Sequence, residues 1–231
     1  FISVFMSAVL LNYTFGLYAH AADRKIEVRI DGKTLESAVS PRLIGNTTYV
    51  PVYKFCSAIS TTKKSFDDNT KTARLTIRGI DIYAARGKDY IVANGRYICT
   101  GLENIIIDDT MFVPIRSIAK ALGAEVVWNG SDYSVDIKDT GNTIASGDTF
   151  YNETDLLWLS RIIYAESNTE PFRGKIAVGN VVLNRVRSDE FPNSVYGVIF
   201  DTKYGTQFTP VENGSIYNTP SEDCVIAAKI C

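Results

Sequence analysis

Residues Thr48-Tyr49-Val50-Pro51-Val52 return as Met111-Phe112-Val113-Pro114-Ile115, with the two prolines 63 positions apart. Each copy reads as a short strand of β-branched and aromatic residues that stops at proline. A short amphipathic helix follows each copy. The second opens at Pro114 and closes before Gly123, a start and stop pair that suits helix ends. After each helix comes a strand pair with a polar turn, Phe66-Asp67-Asp68-Asn69 in one and Trp128-Asn129-Gly130-Ser131 in the other. Alternating stretches such as Ile26–Ile30 and Tyr133–Ile137 complete a β-rich repeat module over residues 24–139.

The flanks are of another kind. Residues 1–22 carry no Asp, Glu, Lys or Arg and begin almost wholly apolar. Ala19-His20-Ala21 then offers small residues where a secretory cleavage site needs them. The expectation is a partial signal peptide and a secreted, cell-wall location with no stable membrane insertion after cleavage. A membrane anchor is the other reading, but the apolar run is shorter than the ~20 residues of a span. Residues 140–152, with Gly, Ser and Asn, read as a linker. A net charge of −2 argues against a nucleic-acid partner.

Beyond the linker, Asp155–Arg187 reads as two helices around a polar turn, Ser167-Asn168-Thr169. In the first, Leu156, Leu159 and Ile163 recur at helical spacing, with Asn152, Thr154 or Asp155 available as cap. The second opens at Pro171, and Ile176, Ala177, Val181 and Val186 are its expected buried face, widened by Val178, Val182 and Leu183. Apolar on most sides, that helix is expected in a domain interior.

Glu166 is the odd residue. It follows Ile162-Ile163-Tyr164-Ala165 at the C-terminal end of the first helix, where the dipole disfavours negative charge. Apolar neighbours and the dipole would together favour a protonated carboxyl, as a general acid requires. A solvated helix-end glutamate fits the same pattern. The absences are informative. The one histidine is His20, inside the segment expected to be removed. A mature chain without it builds no Ser-His-Asp or Cys-His site and lacks the imidazole of zinc and copper centres. We therefore expect no metal and no cofactor, and carboxylate chemistry remains.

The segment Leu156–Phe200 with Gln207–Pro220 resembles the SleB/CwlJ-type cell wall hydrolase domain, the family of spore cortex-lytic enzymes. Tyr164-Ala165-Glu166, Val182-Leu183-Asn184-Arg185, Phe191-Pro192 and Gln207-Phe208 carry the resemblance, in the family's order. It implies a lysozyme-like or lytic-transglycosylase-like fold over residues 153–231, incomplete at its C-terminal side. It implies cleavage between N-acetylmuramic acid and N-acetylglucosamine in peptidoglycan glycan strands, with Glu166 as the catalytic group. Gln207, Phe208 and Thr209 would line the cleft, Gln207 hydrogen-bonding an N-acetyl group and Phe208 stacking on a sugar. A structural turn accounts for that loop equally. Tyr164 would position the acid or sit in the core, and Asn184 would orient Glu166 or satisfy a structural hydrogen bond. Glu170 and Glu212 read as surface charges, which favours a one-carboxylate, transglycosylase-type route over the usual pair. The repeat module resembles the copper amine oxidase N-terminal-like "stalk" domain, notably in Val113-Pro114-Ile115-Arg116 and Ala121-Leu122-Gly123. That resemblance implies a wall-associated spacer and no copper. The expected whole is α+β with two domains, β-rich first and mostly helical second. A non-catalytic wall-binding scaffold is the alternative, and the sequence sets no oligomeric state. Cys56 and Cys99 are a possible pair. Cys224 and Cys231, seven apart on a helix, would lie ~10 Å apart and remain unbridged. Thr219-Pro220-Ser221-Glu222 reads as a capping box for the last helix.

Overall fold

In a computed structural model, residues 24–203 and 205–231 are described. The expected signal segment, with His20, lies outside the described residues. The strands are β1 (Arg24–Lys25), β2 (Glu27–Ile30), β3 (Lys33–Thr34), β4 (Arg42–Ile44), β5 (Thr47–Pro51), β6 (Thr62–Asp67), β7 (Thr72–Ile77), β8 (Ile80–Ala85), β9 (Tyr90–Ala93), β10 (Arg96–Cys99), β11 (Ile105–Ile107), β12 (Thr110–Pro114), β13 (Glu125–Asn129) and β14 (Ser134–Lys138). Two helices interrupt them, α1 (Val52–Ile59) and α2 (Ile115–Ala121). Then follow α3 (Gly147–Phe150), α4 (Glu153–Ser167), α5 (Phe172–Val186), α6 (Val195–Ile199), α7 (Thr209–Asn213) and α8 (Glu222–Ile230). A β-rich region thus precedes a helical one.

The repeat explains the first region. Its two copies are β5 and β12, and they pair with each other antiparallel, Val113 opposite Val50 and Pro114 opposite Tyr49. Each strand ends at its proline and turns directly into α1 or α2. That pair centres a sheet ordered β1-β4-β5-β12-β11. The hairpins after the helices diverge. β6 and β7 open a meander through β10, whereas β13 and β14 join β2 and β3 in a third sheet. Phe55 is fully buried in the common core, and Phe112 is fully buried as well, each worth ~1.5–3 kcal/mol of burial.

The connecting segment is packed rather than free. Ile144 is buried in the first core, and Asn94 Nδ2 donates to its carbonyl at 2.9 Å. Tyr151 then joins the regions: its hydroxyl accepts from Tyr97 N at 3.0 Å and donates to Lys229 O at 3.1 Å. Phe172 adds a ring contact of 5.9 Å to Tyr90, and Arg173 donates to Gly101 O.

Four expectations need correction. Cys56 is fully buried beside Phe55 while Cys99 is exposed, so that pair is not bridged and all four cysteines are free. Of the expected face of α5, Val182 is buried and Ile176, Val178, Leu183 and Val186 pack half-buried on the core, but Ala177 and Val181 are exposed, and Lys175 and Gly179 are buried instead. α5 meets α4, α8 and α6 and leaves its opposite face open, so it is not a central helix. The last helix starts one residue after Ser221, whose hydroxyl turns to Cys224 Sγ at 3.2 Å instead of capping. Finally, the strand expected over Tyr133–Ile137 runs from Ser134 to Lys138, and Tyr133 is exposed ahead of it in a turn.

Candidate functional site

α4 begins with Asn152, whose Oδ1 accepts from Asp155 N at 3.0 Å, a cap that ends one orphan donor. Leu159, Ile162 and Ile163 form its buried stripe. Glu166 follows Ile163 by three residues and Ile162 by four, so it prolongs the same stripe. Its side chain is nevertheless exposed. The apolar pocket expected around it is therefore not present: in the last turn of α4 the covered side is that of Ser167, which is buried, and Glu166 stands outside it. The carboxylate forms no hydrogen bond or ion pair among the described residues.

The turn after Glu166 is firmly built. Ser167 Oγ donates back to Ile163 O at 2.7 Å. Lys175, buried near the start of α5, donates from Nζ to Glu170 O at 2.7 Å. Ser221, ahead of α8, reaches Asn168 Oδ1 at 3.4 Å. Glu170 and Glu212 are exposed, as expected of surface charges.

The other expected site residues separate into two groups. Tyr164 is half-buried against the helical core. Phe208 is only 9% exposed and belongs to that core. Arg185 caps it, its guanidinium lying 5.1 Å from the Phe208 ring and 5.2 Å from that of Phe191. A buried ring so covered offers no face to a sugar, which corrects its expected stacking role. Asn184 is exposed and accepts from Arg187 Nη1 at 3.3 Å. Its expected buried partner is absent because this face of α5 is open. Gln207 donates to Gly205 O at 3.1 Å within its own loop, and Thr209 is exposed at the start of α7. No hydrogen bond among the described residues links Gln207, Thr209 or Asn184 to Glu166.

An aromatic surface escaped sequence reasoning. Trp158 lies two turns before Glu166 on α4, ~12 Å along the axis. Its ring meets Tyr196 at 5.2 Å, Phe200 at 5.1 Å and Tyr217 at 6.2 Å. Tyr196 and Tyr217 are 49% and 60% exposed, and Arg161 sits 5.0 Å over Trp158. The rings come from three elements, so no periodicity announces them. Only the four-residue spacing of Tyr196 and Phe200 was a signal. No cluster of three or more His, Cys, Asp or Glu that could hold a metal occurs among the described residues. No helix among them is long and apolar enough to cross a membrane.

Comparison with known families gives two matches. Residues 29–137 match the family described as copper amine oxidase N-terminal domain, and residues 169–231 match Cell Wall Hydrolase. The chain thus carries a stretch similar to the copper amine oxidase N-terminal domain, followed by one similar to the cell wall hydrolase domain. Glu166 stands three residues ahead of the second matched stretch. The chain is similar to the spore cortex-lytic enzyme of Bacillus cereus, 41% identical over 85 residues, 37% of this chain and 30% of the relative. To the Bacillus subtilis spore cortex-lytic enzyme it is 42% identical over 72 residues, 31% of this chain and 23% of the relative. The chain therefore spans under a third of the length of these relatives. Among solved structures it is similar to the catalytic domain of Bacillus cereus SleB, at 44% identity and TM-score 0.31, covering 34% of this chain and 59% of that one. The catalytic domain of the germination-specific lytic transglycosylase SleB from Bacillus anthracis is 41% identical, with TM-score 0.31, covering 37% of this chain and 65% of that one.

Proposed function

We propose that this chain cleaves peptidoglycan glycan strands outside the cytoplasmic membrane, in wall or spore-cortex remodelling, with Glu166 as its acid and base. The observation that carries the reading is the match of residues 169–231 to the cell wall hydrolase family, with likeness to spore cortex-lytic enzymes. Glu166 at the exposed end of an otherwise buried stripe supports it, and so does the aromatic surface two turns away, where sugar rings would rest.

The chemistry needs one carboxyl. Its proton passes to the glycosidic oxygen, the bond from that oxygen to the muramic acid anomeric carbon breaks, and the N-acetylglucosamine side leaves as an alcohol. The carboxylate then takes the proton of the muramic acid 6-hydroxyl as that oxygen bonds to the anomeric carbon, giving an anhydro end. Water in place of the hydroxyl would give a reducing end.

The exposure of Glu166 favours a second reading, a wall-binding protein without catalysis. Clearance of a peptidoglycan suspension separates the two. Glu166→Gln is expected to slow clearance by about 10²–10⁴-fold while sedimentation with peptidoglycan persists. Equal clearance by both forms would remove Glu166 from the chemistry, and no clearance by either with binding intact would favour the wall-binding reading. Mass spectrometry of the products distinguishes anhydro from reducing ends.

A further inference from the structure

A cavity of ≈ 450 Å³ lies far along the chain from Glu166, in the first region, where the central sheet meets the β13-β14-β2-β3 sheet at the start of α2. Its walls include Trp128, Tyr133, Asn46, Thr47, Thr48 and Arg116. The volume falls within the range of small-molecule clefts. We propose that this groove is a second saccharide site, one that holds a carboxylate-bearing N-acetylated amino sugar of a wall glycan.

Three observations converge. Trp128 and Tyr133 are 40% and 51% exposed at the groove, their rings edge to face at 6.0 Å and 86°. An aromatic corner of this kind receives the C–H face of a sugar while its polar tips meet water. Secondly, the polar lining is hydroxyl and amide, from Thr47, Thr48 and Asn46, the groups that pair with sugar hydroxyls and acetamides. Thirdly, Arg116 is the only charged residue of the lining. It is exposed and makes no ion pair or hydrogen bond among the described residues. One unpaired guanidinium among neutral groups suits a single carboxylate. A nucleic-acid strand would call for several cations.

The backbone of Tyr133 adds to this. Its φ is 55°, in the left-handed region. The other described non-glycine residues there are Asp31, Lys71, Arg78, Asn94, Asp108 and Asp109, every one polar or charged. A bulky ring at such a turn position is strained where glycine or asparagine would be relaxed. The surrounding structure thus keeps this ring at the mouth of the groove against a backbone cost.

The inference shares with the proposed function only its target, the wall glycan, and Glu166→Gln leaves it untouched, so the two fail separately. The chain has two tryptophans, Trp128 and Trp158, so a Trp158→Phe protein reports on Trp128 alone. Titrating it with the N-acetylglucosaminyl-N-acetylmuramic acid disaccharide is expected to give a saturable fluorescence change. Tyr133→Gly in that background should weaken binding about tenfold with an unchanged or raised melting temperature, because the strain is relieved. Arg116→Gln should weaken the acidic disaccharide about tenfold and leave neutral chitobiose unaffected. No saturable change, or full affinity in Tyr133→Gly, would overturn the site. Equal loss for both sugars in Arg116→Gln would overturn its preference for an acidic one.

Discussion

An arginine head group between two rings holds the loop wall of the helical region together. Arg185 covers Phe191 and Phe208, and one of its nitrogens, Nη1, is buried without a hydrogen-bond partner. The rings therefore supply its main company, at ~0.5–2 kcal/mol per contact. Phe208 thus serves the fold. Phe208→Ala is expected to destabilise the helical region by ~3–5 kcal/mol, read as a drop in melting temperature. Phe208→Leu should recover much of that loss. If Phe208→Ala instead melts normally and loses affinity for glycan, the ring is a binding surface after all. The residue types of the loop were legible in the sequence, but which way the ring faced was not. Burial at Phe208 depends on Arg185, 23 positions earlier in the chain, and no local pattern ties them. Glu166 shows the converse. Its place on the apolar stripe follows from spacing alone, whereas its exposure depends on what other elements cover.

Helix α5 packs closely against its neighbours at one glycine. A Cβ on Gly179 would lie 2.5 Å from Cys231 Sγ and 2.9 Å from Ile163 Cδ1. α4 and the end of α8 thus meet across a position that only hydrogen fits. Glycine costs a helix interior ~1 kcal/mol relative to alanine, so the residue is kept for packing. Gly179→Ala should destabilise by ~1–3 kcal/mol through overpacking, net of that propensity gain. Cys231→Ala in the same chain should restore part of the loss, since it removes the nearer atom. Additive effects in a double-mutant cycle would show that the contact is not shared. At this scale the sequence was more informative. The Pro51 and Pro114 repeat marked two strands and two helices, and the Asn152 cap and Pro171 start marked α4 and α5. The buried side of α5 was legible only in part: Ile176, Val182 and Val186 face the core as expected, whereas Ala177 and Val181 do not. With apolar residues on every side, only the neighbours decide which face is covered, and Gly179 rather than a large residue marks the contact.

The two regions meet through a tyrosine cluster that resists ionisation. Burial pushes the Tyr90 hydroxyl up to about 12 from an ordinary 10.0, with nearby Tyr97 and then Asp223 and Glu222 of α8 adding to it. Tyr97 and Tyr151 are raised by burial as well. Tyr97 and Tyr151 lie beneath the Lys229 ammonium at 5.4 and 5.6 Å. When the regions part, these phenols return to water and to ordinary acidity. The docked state therefore binds more protons than the separated state once pH exceeds 10, and docking weakens as pH climbs from about 10 to about 12. Below pH 10 both states hold their phenol protons and docking is fully present. Small-angle scattering across that window should record a rising radius of gyration, with proteolysis appearing in residues 140–152. Tyr90→Phe should move the transition to higher pH, since one buried phenol no longer has to ionise. Tyr151→Phe should act differently, weakening docking at every pH, because it removes a hydroxyl bonded to both Tyr97 N and Lys229 O. A radius constant from neutral pH to about 12 would mean that the tyrosines are buried by the first region alone, and that the seam contributes nothing to their acidity.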